Sequence, residues 1–155
     1  MSTITEEAAV KRMASYCAKS EHSRADVYEK LKRWGFDGKV IDKILEALET
    51  GGFIDNERFC RSFVNDKFRF NKWGRLKIGQ ALALHKIPSS IANRYLNEID
   101  EEEYMDVLRK LINTKKRSVQ GKDERDKEAK LIRFAASRGF EIRYIKQCLG
   151  TLDDE

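Results

Sequence analysis

Proline is almost missing from this 155-residue chain, which has one, so little in it would interrupt a helix. No stretch alternates apolar and polar residues for long, and no Asn-Gly or Asp-Gly turn joins two such stretches, which removes the usual signals of β-hairpins. Apolar runs are short, and none approaches the roughly 18 residues that a membrane-spanning helix needs. The opening Met1-Ser2-Thr3-Ile4-Thr5-Glu6-Glu7 is polar and acidic, unlike a secretory signal, so a cytoplasmic protein with no membrane contact is expected. The three cysteines, Cys17, Cys60 and Cys148, are odd in number, lack metal-ligand spacing and sit within apolar helical patterns. They read as buried free thiols of a reducing compartment. The only histidines, His22 and His85, lie far apart near helix ends and read as surface or capping residues. There is no GxGxxG, no Walker-type glycine–lysine loop and no HExxH. No catalytic residue, metal site or cofactor is therefore expected, and the chain reads as a binding protein rather than an enzyme.

Charge is abundant: 37% of residues are charged against 41% hydrophobic. That mix suits many amphipathic helices with charged outer faces. The net charge of +5 leans towards an acidic partner, either nucleic acid or an acidic protein surface.

The first clear helix signal is Ser23-Arg24-Ala25-Asp26, which resembles a capping box. Val27, Leu31 and Trp34 follow on one face, and Gly35 ends the helix. Asp37 is positioned to cap a helix carrying Val40, Ile41, Ile44, Leu45 and Leu48, which Gly51-Gly52 stops. Asp55 can cap a helix bearing Phe59, Cys60, Phe63, Val64 and Phe68, and Gly74 precedes one with Ile78, Ala81 and Leu82. Helices with Ile91, Tyr95 and Leu96, with Tyr104, Val107, Leu108, Leu111 and Ile112, with Leu131 and Ala135, and with Tyr144, Ile145 and Cys148 complete the walk. The turns Trp34-Gly35-Phe36, His85-Lys86-Ile87 and Arg138-Gly139-Phe140 recur about every 50 residues, with matching apolar positions behind each. The expected fold is all-α: three tandem three-helix repeats over residues 1–51, 52–99 and 100–155, forming an elongated, curved array. A body of that kind suits an extended partner.

Two basic segments stand out. In the second repeat Lys67, Arg69, Lys72, Arg75 and Lys77 interleave with Phe68, Phe70 and Trp73, and only Asp66 opposes them. Cations for phosphates beside rings for stacking is one way of holding single-stranded nucleic acid. The alternative is that Phe68 continues the core stripe and Trp73 plugs a helix junction. In the third repeat Lys115, Lys116 and Arg117 open a segment, running to Lys122, that reads as a mobile basic loop. The acidic run from Glu98 to Asp106 spans a helix start, where negative charge complements the dipole.

The stretch Gly52-Phe53-Ile54-Asp55-Asn56-Glu57-Arg58-Phe59-Cys60, continuing through Gly74, Ile78 and Leu82 to Ile87, resembles the central signature of the RecX regulatory proteins. Leu31 to Phe36 and Arg138-Gly139-Phe140 are similar to the family's first and last turns, so the likeness runs from about Ala8 to Leu149. Asn56 departs from the family's paired acids and Lys86 from its turn glycine. If position 86 needs positive φ, lysine costs stability there, and the middle turn is expected to differ in shape. The resemblance implies a cytoplasmic modulator that binds the RecA filament on single-stranded DNA and mainly inhibits its extension, ATPase and recombinase activity. A monomer with weak direct contact to DNA is expected, and the two basic segments supply the candidate contacts Lys67, Arg69, Lys72, Trp73, Arg75, Lys77, Lys115, Lys116 and Arg117. The alternatives are a stand-alone helical module for single-stranded nucleic acid and a helical scaffold for another protein.

Overall fold

A computed structural model describes residues 4–150; the opening Met1 to Thr3 and residues 151–155 of the third sequence repeat lie outside the described residues. Every regular element among the described residues is an α-helix: α1 (Glu6–Lys19), α2 (Arg24–Arg33), α3 (Gly38–Thr50), α4 (Asn56–Arg69), α5 (Arg75–Leu84), α6 (Ser89–Asn97), α7 (Glu101–Lys116), α8 (Glu124–Ser137) and α9 (Ile142–Leu149). Within them, no helix is long and apolar enough to cross a membrane. The caps act where the sequence places them. Ser23 and Asp26 form a reciprocal capping box on α2. Asp37 accepts from Val40 N, Asp55 from Glu57 N and Arg58 N, and Asp100 from Glu103 N.

The chain divides into two compact units, residues 1–63 with 82–91 and residues 64–81 with 92–155, so α4, α5 and α6 each contribute to both. In the first unit Ala9, Met13 and Cys17 of α1 pack with Val27 and Leu31 of α2 and with Ile41, Ile44, Leu45 and Leu48 of α3. Helix α1 fully buries only Ala9, Met13 and Cys17, with Val10, Ala14 and Tyr16 partly buried against the same cluster, and the sequence does not announce this stripe. Polar links surround the core. Arg24 N donates to Asn56 Oδ1 at 3.0 Å, and Arg58 Nε meets Glu21 at 2.6 Å. His85 Nδ1 lies 2.9 and 3.0 Å from the two Asp26 oxygens, beside the rings of Phe59 and Phe63.

The three repeat turns share one backbone form. Gly35, Lys86 and Gly139 have φ of 94°, 60° and 96°. In each, the amide of that residue bonds the carbonyl three back, and the next amide bonds the carbonyl five back: Phe36 to Leu31, Ile87 to Leu82 and Phe140 to Ala135. This is a left-handed C-terminal cap. The expectation that the middle turn differs in shape is therefore corrected: Lys86 adopts the strained conformation, because Ile87 must still enter the core, where it is buried.

In the second unit an aromatic file organises the core. Phe68 stacks on Tyr104 with ring centroids 5.7 Å apart, and Tyr104 meets Phe140 at 5.1 Å and Tyr144 at 5.8 Å. Ile78, Leu108, Ile112, Leu131 and Ile145 fill around it. The start of α5 lies directly on the turn between α8 and α9. Gly74 N donates to Arg138 O at 2.7 Å and Leu76 N to Gly139 O at 3.0 Å. A Cβ at Gly74 would sit 2.4 Å from the carbonyl carbon and oxygen of Gly139.

Candidate partner-binding surface

The basic residues of the second repeat reach three different environments. Phe68, read either as a stacking ring or as core, is core at 2% exposure. Trp73 is half-buried at the α4–α5 junction, its amide bonded to Lys67 O, with the ammonium groups of Lys67 and Lys77 at 5.0 and 4.5 Å from its ring centroid. These three residues form a cation–π cluster that presents positive charge on a rigid base. Arg69 and Lys72 lie at the end of α4. Arg69 is bidentate to Glu103 and bonds Asn65 at 2.6 Å, while Lys72 Nζ donates to the Arg69 carbonyl at 2.6 Å.

Arg75 stands apart from them. Its side chain is only 12% exposed. Its guanidinium lies 4.0 Å from the Tyr104 ring centroid and donates to Leu96 O, Ile99 O and Glu101. Its backbone amide donates to the Tyr104 hydroxyl, which in turn donates to Glu141. Burial, reinforced by the bond to Glu141, pushes the Tyr104 phenol above its ordinary range. Arg75 thus ties α5 to the end of α6 and the start of α7, and presents little charge to a partner. The acidic run is not merely a solvated helix start either. Glu101 and Glu103 neutralise Arg75 and Arg69 across 26 and 34 residues of sequence, a pairing that spacing alone cannot reveal.

The reading of a loop starting at Lys115 is also corrected. Lys115 and Lys116 form the last turn of α7 and Arg117 is its cap, a favourable place for cations at the negative end of the helix dipole. The segment beyond is tied down: Val119 N bonds Lys115 O, Lys130 Nζ bonds Gln120 O, and Lys122 N bonds Asp126. Lys115 Nζ lies over Phe134, 5.1 Å from its centroid, whereas Lys116 borders a different depression with Val119 and Leu149.

Other residues join this surface that the sequence pattern assigns to the core or leaves unmarked. Lys72, Val107, Lys110, Leu111 and Thr114 line a shallow groove of about 250 Å³. Phe70, two residues before Lys72, is 77% exposed. The signal is present in α7: Tyr104, Leu108 and Ile112 suffice for the core, which leaves Val107 and Leu111 as surplus apolar residues on the neighbouring stripe.

Family models for the first, second and third three-helix domains of RecX match residues 9–48, 55–96 and 101–149. The regulatory protein RecX of Prosthecochloris aestuarii is 31% identical over 154 residues, covering 98% of both chains. That of Clostridium tetani is 33% identical over 140 residues, which span 88% of this chain and 63% of that one. Among solved structures, RecX from Lactobacillus salivarius superposes with a TM-score of 0.85 at 18% identity over 97% of each chain. A second RecX crystal structure gives 0.84 at 23% identity, over 97% of this chain and 72% of that one. Three helical repeats matched in order, along the whole length of a relative with almost a third of its residues identical, place this chain in the RecX family of regulatory proteins.

Proposed function

We propose that the chain is a cytoplasmic, monomeric regulator that binds the RecA filament on single-stranded DNA and mainly inhibits its extension, ATPase and recombinase activity. The observation that carries this reading is the match along nearly the whole length of a regulatory protein, together with the three RecX domain models matched in order along this chain. The chain acts by binding, not by catalysis. Lys67 and Lys77 on Trp73, together with Lys72 and the α7 terminus at Lys115 to Arg117, supply the positive surface that meets the filament. Arg75 is left out of this set because its charge is held internally.

The test is the ATPase rate of the cognate RecA on single-stranded DNA, titrated with this protein. Inhibition at substoichiometric amounts is expected, and the triple variant K67E/K72E/K77E should require much more protein while keeping its helical circular dichroism. An unchanged rate at excess folded wild-type protein would refute filament regulation. Equal inhibition by the triple variant would refute only the assignment of the surface.

A further inference from the structure

Helix α9 ends at Leu149, and Gly150 follows as a left-handed cap with φ of 74°, its amide bonded to Gln147 O at 3.2 Å. A residue in that conformation changes the direction of the chain sharply past the helix end. Leu149 also lines a depression of about 240 Å³, in which its apolar companions are Val119 and Leu131. That volume is below the roughly 300 Å³ at which pockets for free small ligands begin, and it suits one side chain of a peptide segment. The sequence delivers such a segment at once. Thr151-Leu152-Asp153-Asp154-Glu155 offers one aliphatic side chain and then three acids.

The two sides of the depression differ in charge. Helix α8 contributes Glu124 and Glu128, with Lys127 at 3.6 Å from Glu124. The opposite side brings Lys116 and Val119, which belong to a stretch holding Lys115, Lys116, Arg117 and Lys122 and no acid. The next acids along the chain are engaged elsewhere. Asp123 accepts from Asp126 N to cap α8, and Asp126 accepts from Lys122 N and pairs with Lys130 at 3.5 Å. Bonds from Val119 N to Lys115 O and from Lys130 Nζ to Gln120 O hold the basic stretch in place beside the apolar lining. Five residues extend at most about 17 Å, enough to cross a depression that starts at Leu149.

We propose that residues 151–155 dock on this depression of their own chain. Leu152 covers Val119 and Leu131, and Asp153, Asp154 and Glu155 lie over Lys116 and Arg117, away from Glu124 and Glu128. Attachment through Gly150 puts the segment at an effective concentration in the millimolar range, so a contact too weak to form between separate molecules closes within one. The docked segment screens cations of the α7 terminus, and an acidic partner surface must displace it. It is an autoinhibitory contact. This consequence rests on the filament reading above, whereas the docking itself does not.

The docking is tested by NMR on the full chain without RecA, with leucine and valine methyl groups isotope-labelled. Nuclear Overhauser contacts from the Leu152 methyls to those of Val119 or Leu131 are expected, and they should lose most of their intensity in D153N/D154N/E155Q. Their absence from the wild type overturns the proposal. Contacts seen only between labelled and unlabelled copies in a mixed sample also overturn it, and assign the segment to a second molecule. The screening is tested by inhibition of the RecA ATPase. D153N/D154N/E155Q and L152A should each inhibit at about half the wild-type amount or less, the change expected when a closed form holding half of the molecules is lost. L152A keeps all three acids, so a gain in that variant reports docking and not the removal of negative charge. Wild-type potency in both variants overturns the autoinhibition. Failure of every form to inhibit RecA refutes the filament reading, and the NMR contacts then decide the docking by themselves.

Discussion

Replacing Gly74 by alanine tests a close backbone approach in the second unit. The added Cβ would stand 2.4 Å from the carbonyl carbon and oxygen of Gly139 and 2.5 Å from Phe140 N. All three are main-chain atoms, so no side chain can rotate away. The two backbone segments must part by about 1 Å to reach ordinary packing distance, a core overpacking that costs about 1–3 kcal/mol. The same displacement stretches the hydrogen bonds from Gly74 to Arg138 and from Leu76 to Gly139, which now measure 2.7 and 3.0 Å. Weakening both adds about 1 kcal/mol each. The expected loss is therefore about 3–5 kcal/mol, a large part of the roughly 5–15 kcal/mol that holds a typical domain folded. Gly52→Ala is the control: Gly52 has φ +77° and nothing within 4 Å of the built Cβ, so it carries only the left-handed strain, about 1–2 kcal/mol. Urea unfolding followed by circular dichroism measures both. If G74A is no more destabilising than G52A, the close approach does not hold the unit together and the reasoning fails.

Lys86→Gly relieves the strained middle turn and should raise stability by about 0.5–1 kcal/mol, the left-handed penalty less the added freedom of the unfolded chain; a fall in the urea midpoint would show that the lysine side chain contributes to the fold. Alkaline pH should destabilise the protein. Burial pushes the Cys60 thiol from 9.0 up to about 11 and raises the Tyr104 phenol above 10.0. The folded state favours the neutral form of each group, so their contribution is complete below about pH 9 and is lost as pH climbs through the folded values. The urea midpoint should hold from pH 7 to 9 and drop by pH 11, with a smaller drop in C60A; a flat profile would contradict the burial of these groups.

The helix ends are the most legible part of the sequence, because a cap is a local event. Ser23, Asp37 and Asp55 bond amides two or three residues away, so spacing alone identifies them. The repeat is legible for the same reason: each turn is set by a few neighbouring residues. Helix α1 escapes the pattern because Ala9 and Cys17 are weak apolar signals, although both are buried. The surface is harder to read, since it depends on which charges cancel. Arg69 and Arg75 look like the cations beside them until the fold brings Glu103 and Glu101 across. Lys110 looks ordinary until the groove places Lys72 next to it.

The division of the chain also dictates an order of events during synthesis. Residues 82–91 belong with the first unit, whereas residues 64–81, which leave the ribosome earlier, belong with residues 92–155. The segment carrying Trp73, Gly74 and Arg75 therefore emerges before Tyr104, Gly139 and Glu141, the groups that its backbone and charges engage. At roughly 5–20 residues per second it waits several seconds for them. A chain cut after residue 99 would keep two complete repeats by sequence and yet leave the junction of the second without its anchors. The boundaries of the two compact units thus fall inside α4, α5 and α6 and not between the sequence repeats.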